Sequence, residues 1–400
     1  MKVIFEIFTY IVLALSIFFI IYNIKKHKEI NATLCMQSNI GLKTIIKIIL
    51  FVVLSRVILF AFSYACTQLI DGAEWRTLTD IWNEWDAPHY IHIIESGYYD
   101  SELGWIWIVF YPLYPFASWI VNIIIGNAHW SALLISWIFL CGAAIYLYKL
   151  ALIDHDKKTA IRTVKFFLIF PATVFYGAPY TESMFIFFCF AVMYYTRSQK
   201  YSMACVLAGL AALTRNIGVL LAIIIFAEML YKYKRNWKPL LRESIKLLII
   251  PLCAAAYLFM NHLICGDSLA FLKFQEEYWH QCFGSYGNTL NTTYNGIASN
   301  DFLYFWIPQF IVLIIGGITL PLIARKVRTS YALYAIAYIF ILFAPTWLLS
   351  GLRYYSGLAI IYPILGEITH KKWINISATV LSIILMLAAT CLYSVGWMVL

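Results

Sequence analysis

Asp86, His89 and Tyr90 stand in the stretch Trp85-Asp86-Ala87-Pro88-His89-Tyr90. Helical residues three and four apart share a face, so these three side chains form one constellation. A carboxylate set beside polar groups can remove the proton from an attacking hydroxyl. Glu95, nine residues on, falls on the opposite side of such a helix. Asp86 also suits a structural role. It has an N-cap side chain, Pro88 is tolerated in a first turn, and Gly97 would close the helix at its C-terminus. The two roles are compatible, although a carboxylate spent on helix amides is the weaker base.

Two cations interrupt apolar runs further on. Arg215 lies in Thr214-Arg215-Asn216, and Arg353 precedes Tyr354 and Tyr355. A guanidinium can clamp a phosphate, and it can equally cap helix carbonyls. Glu182 at a hairpin tip reads as a cap or as a solvated acid. Gln275, Tyr278 and Trp279 read as acceptor contacts or as one face of an interfacial helix. His89 and His92 have metal-ligand spacing but no third ligand, so no metal site is expected. Nine cysteines include no CxxC pair. Cys265 and Cys282 flank one polar stretch, where a disulfide is one alternative.

These groups must be positioned by a membrane bundle. The chain has 400 residues, 62% hydrophobic and 12% charged, where a soluble domain has about 25% charged. About twenty apolar residues cross the hydrocarbon core, so the length allows roughly ten crossings. The fold expected is all-α, a single polytopic domain over 1–400. The net charge of +9 comes from short Lys/Arg clusters between apolar runs, as in cytoplasmic loops, and does not suggest a nucleic-acid partner.

Residues 3–24 read as a first membrane helix rather than a cleavable signal, because the run is long and no small-residue cleavage site follows. Lys25-Lys26-His27-Lys28 after it places the N-terminus outside. A first external loop then covers 71–104 and a second 265–304. Two apolar runs, 105–125 and 130–150, are separated by only Gly126-Asn127-Ala128-His129. Two full crossings there would break the charge rule. Pro112 and Pro115 make the first run the irregular one. Asp86, Arg215 and Arg353 are then expected on one side. An ionisable group at a membrane boundary marks a functional site by default.

The motifs fall in an order that resembles the PIG-V-type mannosyltransferases, the GPI mannosyltransferase 2 family. The carriers are Trp85-Asp86 through Gly97-Tyr98 and Phe110-Tyr111-Pro112-Leu113-Tyr114-Pro115. Phe170-Pro171 through Phe175 and Pro179-Tyr180-Thr181-Glu182-Ser183 follow. Then come Thr214-Arg215-Asn216-Ile217-Gly218, Phe271 to Trp279, and Leu352-Arg353-Tyr354 with Tyr362-Pro363. They span residues 80–365, with helix 3–24 as an addition and Pro88 as a mild departure. The resemblance implies a GT-C-type bundle with catalytic external loops. It implies an inverting transfer of a sugar, commonly mannose, from a polyprenyl or dolichyl phosphate to a glycan or glycolipid. By motif position Asp86 is the catalytic base, and Arg215 and Arg353 neutralise the lipid phosphate. Trp85, His89, Tyr90, Tyr180, Glu182, Gln275, Trp279 and Tyr354 would contact substrate. No cofactor and no obligatory metal are implied.

Other readings compete. A transporter or flippase of lipid-linked sugars would favour inverted repeats and helices broken near the midplane, and no repeat is visible. A structural subunit would not need Asp86, Arg215 and Arg353 on one side. A transferase using a diphosphate-linked donor shares the architecture. The membrane is the plasma membrane in a bacterium or the endoplasmic reticulum in a eukaryote, with the site external or lumenal. Sequons at Asn31 and Asn291 do not decide between them.

Overall fold

The computed structural model describes residues 1–25, 40–70, 76–100, 102–234, 236–300 and 302–397. The basic cluster after Lys25, the Asn31 sequon and residues 71–75 of the first loop lie outside the described residues. The described chain is helical throughout, with only two isolated β-bridges.

The first third holds α1 (Lys2–Lys25), α2 (Leu42–Ile70), α3 (Leu78–Ile81), α4 (Ala87–Ser96), α5 (Leu113–Ile125) and α6 (Ala128–Asp154). The middle holds α7 (Lys157–Leu168), α8 (Val174–Gly177), α9 (Glu182–Arg197), α10 (Tyr201–Ala212), α11 (Leu221–Tyr233), α12 (Trp237–Ser244) and α13 (Ile249–Cys265). The last third holds α14 (Ala270–Trp279), α15 (Tyr286–Ala298), α16 (Leu303–Lys326), α17 (Thr329–Leu342), α18 (Gly351–Ser356), α19 (Ile361–Ile368) and α20 (Lys372–Ser394).

Among the described residues seven helical segments are long and apolar enough to cross a membrane, or eight if the bent α7–α8 pair is one span. Three of the apolar runs fold as short helices, α5, α10 and α17, of 13, 12 and 14 residues. At 1.5 Å per residue each is only about 20 Å long. The first run between 105 and 150 is the irregular one. It is a 3-10 turn at Ile106–Val109 followed by α5, whose cap residue is Pro112.

Burial sorts the helices into layers. α9 is buried along almost its whole length and lies among α6, α10 and α11. An all-round apolar helix of this kind belongs at the centre of a bundle. α1, α2 and α20 keep large apolar side chains exposed on their outer faces, among them Ile11, Leu54 and Val380. Those faces suit hydrocarbon. α1 packs on α15 and α16, and its Glu6 accepts a 2.8 Å hydrogen bond from Ser285, the cap residue of α15.

The break before α9 matters for the site. Pro171 interrupts the ladder, and α7 meets the following segment at 66°. Two carbonyls at this break, Leu168 and Thr173, accept from Arg56 of α2 at 3.2 and 2.8 Å. Arg56 is fully buried and makes no ion pair among the described residues. It holds the bend that precedes Tyr180 and Glu182, which stand behind the cavity.

Candidate active site

Asp86 occupies the N-cap position of α4, with Pro88 in the first turn and Gly97 closing the helix at φ +81°. Its side chain makes no capping hydrogen bond. Its carboxylate instead accepts from Arg353 Nη1 at 2.6 Å. The turn that delivers it is pinned from below. The Tyr180 hydroxyl donates to the Glu84 carbonyl at 2.8 Å and accepts from the Asp86 amide at 3.2 Å. Trp85 between them holds φ +60°, a strained value for a bulky residue.

Glu182 opens α9, where the helix dipole favours a carboxylate. It is 3% exposed. One of its oxygens, Oε1, accepts from Arg353 Nε at 2.5 Å and also from Arg215. Arg353 comes from α18 and lies over the Tyr180 ring, 4.5 Å from its centroid. Arg215 sits between α10 and α11. Its backbone turn is tight because Gly218 passes against Ala211. A Cβ on Gly218 would stand 2.4 Å from the Ala211 carbonyl carbon, so only glycine fits there. Tyr354 lies between the two guanidinium groups, 5.6 Å from Arg215 and 5.9 Å from Arg353.

These groups line a cavity of about 300 Å³. Asp86, Tyr90, Arg215, Arg353 and Tyr354 contribute its polar part. α14 supplies Phe271, Leu272, Gln275 and Trp279, and Ile341, Leu342, Pro345 and Leu349 contribute apolar wall. Gln275 Nε2 donates to Gln281 Oε1 at 2.8 Å, and Gln281 Nε2 donates to the Trp347 carbonyl at 3.3 Å. The cavity thus offers a carboxylate and two cations at one part, and amides, aromatic rings and an apolar wall at the rest. It can hold an amphipathic anion beside a polyhydroxylated group.

Seven of the residues singled out from sequence meet at this cavity: Asp86, Tyr90, Arg215, Gln275, Trp279, Arg353 and Tyr354. Four stand behind it. Trp85 and Tyr180 shape the Asp86 turn, and Glu182 holds the arginines. His89 does not join Asp86 on the cavity wall. Its Nδ1 accepts from Trp107 Nε1 at 3.1 Å, and its ring packs near Phe110 and Trp279. Burial lowers the His89 pKa below its ordinary value, against a smaller opposing effect of Asp86. Glu182 is neither solvated nor only a cap. It is the buried counter-ion of the two arginines, which lie 33 and 171 residues away in sequence. No local signal could pair them. Tyr111, Thr181 and Asn216, which fall inside the quoted motifs without being singled out, and Gln281, which falls outside them, also line the cavity. Cys265 and Cys282 are both free thiols, so the disulfide alternative fails. Among the described residues no three His, Cys, Asp or Glu side chains converge.

Residues 42–311 match the mannosyltransferase (PIG-V) family. Among curated proteins, the GPI alpha-1,6-mannosyltransferase 2 of Mus musculus is 29% identical over 143 residues, 33% of this chain and 27% of that protein. The GPI mannosyltransferase 2 of Yarrowia lipolytica is 28% identical over 156 residues, 38% of this chain and 42% of that protein. The aligned stretches therefore span less than half of either relative. Among solved structures, ArnT from Cupriavidus metallidurans bound to undecaprenyl phosphate superposes with a TM-score of 0.52. The identity is 12%, and the match covers 85% of this chain and 64% of that one. This last likeness is one of fold, that of the GT-C-type helical membrane bundles. With the family match covering well over half of the chain, this multi-pass membrane protein belongs to the PIG-V mannosyltransferase family.

Proposed function

We propose that this chain is an inverting glycosyltransferase. It moves a sugar, mannose by its family, from a polyprenyl or dolichyl phosphate to a hydroxyl of a lipid-linked or cell-surface glycan. The observation that carries the reading is the placement of Asp86 and two arginines on one cavity with an extended apolar wall. Asp86 removes the acceptor proton as the hydroxyl attacks the anomeric carbon. Arg215 and Arg353 neutralise the departing lipid phosphate, whose charge grows as the bond breaks. Trp279, Tyr111 and the Gln275–Gln281 pair suit a sugar, with rings for its faces and amides for its hydroxyls. The apolar wall suits an isoprenoid. The undecaprenyl phosphate held by ArnT and the names of the curated relatives support this choice of donor and sugar. The site faces the outside or the lumen, by the charge asymmetry of the loops. Two arginines can neutralise a phosphate without a divalent ion, so activity should persist in EDTA.

The test is transfer from radiolabelled polyprenyl-phosphate mannose in proteoliposomes, with total lipid and glycan extract as acceptor. Label in a new glycosidic bond of inverted configuration, with or without EDTA, supports the reading. Label that crosses the bilayer still on its lipid, with no transfer, would make the chain a carrier of lipid-linked sugars instead.

A further inference from the structure

The charges of three side chains lining the cavity and one behind it sum to zero, Asp86 and the buried Glu182 against Arg215 and Arg353. They are not equivalent. Glu182 is buried and holds Arg353 at Nε, and its own second oxygen is buried without a partner among the described residues. Asp86 is 22% exposed in its side chain and holds Arg353 only at Nη1. A guanidinium has five N–H donors in a fixed plane. Here that plane is set by Glu182 at one edge and by the Tyr180 ring below. Arg353 is therefore anchored at Nε, while its Nη1 partner is open to the cavity and to exchange.

The reaction proposed above moves charge between the groups that meet at Nη1. The donor is a phosphodiester with one negative charge. Its leaving group is a phosphomonoester that acquires a second. In the same step Asp86 accepts a proton and loses its charge. Resting on that reading, we propose that Arg353 changes partner during transfer. Its Nη1 leaves Asp86 as the proton arrives and takes up the phosphate oxygen as the donor bond breaks. The acceptor oxygen forms its bond to the anomeric carbon. The carbon–oxygen bond to phosphate breaks with its electron pair on the phosphate oxygen. The proton ends on Asp86. One fixed cation thus serves two anions in turn, and neither is left uncompensated in a dry site, where that would be costly. It follows that ionised Asp86 competes with the lipid phosphate for Arg353. Removing the Asp86 charge should abolish transfer and strengthen phosphate binding.

The test is binding of undecaprenyl monophosphate to the detergent-solubilised full chain, read by thermal shift and by titration. Undecaprenol and inorganic phosphate serve as controls that separate the lipid from the phosphate. Asp86→Asn, the uncharged isostere, should bind the lipid phosphate about 5-fold or more tightly than wild type, within the usual range of coupled sites. Asp86→Ala and Asp86→Ser should do the same and serve if the Asn variant does not remain monodisperse. None of them removes a capping bond. On an Arg353→Gln background the gain should vanish. Equal or weaker binding by folded Asp86 variants would overturn the exchange, as would a gain that persists without Arg353. Binding by none of the proteins, wild type included, would overturn the proposed donor itself.

Discussion

The two ends of α9 carry the same chemistry in opposite arrangements. Glu182 and Arg197 are fifteen residues apart, about 22 Å along the helix. At the Arg197 end every anion is saturated. Arg197 meets both oxygens of Asp154, at 2.6 and 2.8 Å. Nearby, Arg328 meets both oxygens of Glu228 at 2.9 Å, and Ser330 adds a third bond at 2.6 Å. These are forked pairs, one acid to one arginine, and they tie α6 to α9 and α11 to α17. At the Glu182 end the pairing is unsaturated. One oxygen serves two arginines, the other serves none, and Asp86 presents a single contact beside a cavity. Saturated pairs hold helices. Two guanidinium groups that share one carboxylate oxygen keep N–H donors that this carboxylate does not use, and such donors can take a further anion such as a lipid phosphate.

The comparison can be broken by substitution. Asp86→Asn should lower transfer by about 10³-fold or more, in line with loss of a general base, with the protein still folded. Arg215→Gln should lower turnover by about 10²-fold through lost charge stabilisation of the leaving phosphate, measured at saturating donor. Asp154→Asn at the other end should behave differently. It leaves Arg197, 4% exposed, without its counter-ion and should cost about 3 kcal/mol of stability, read from unfolding in detergent. Turnover of the folded fraction should stay within about twofold, because the sites are distant. An equal loss of turnover at both ends would erase the distinction.

The smallest effect concerns His89. Burial favours its neutral imidazole and holds its pKa below 6.5. As pH falls below 6.5 the unfolded chain binds the proton first. The stabilisation is therefore present above that pH and lost on acidification. Thermal unfolding of wild type should show this decline, and His89→Gln should flatten it. An unchanged slope would mean that His89 does not titrate in the folded chain as its packing requires.

The charged residues of the cavity were legible where polar chemistry interrupts greasy sequence. Arg215 and Arg353 adjoin apolar runs and Asp86 stands in a polar stretch between two of them, so a membrane reading flags all three, and the ordered motifs group them. Their connections were not legible. The double role of Glu182 needs contacts across 33 and 171 residues, and Tyr180 pins a turn nearly a hundred residues earlier through a hydroxyl that periodicity ignores. Arg56 gives no signal in the sequence, because one cation within the apolar part of a 29-residue helix, beyond Lys43 and Lys47 in its first turns, still reads as a span. Its purpose appears only with the bend at Pro171. Hydropathy counts apolar residues but does not register that Pro112, or the non-helical chain after Leu342, stops a helix short of a full span.

The most direct test is single-turnover transfer with donor already bound, wild type against Asp86→Asn. The account predicts that the variant retains its donor and forms no glycosidic bond on the timescale of wild-type turnover. Transfer by Asp86→Asn at a rate close to wild type would contradict it, and would leave Asp86 as the residue that starts α4 and pairs with Arg353, with the base to be sought elsewhere.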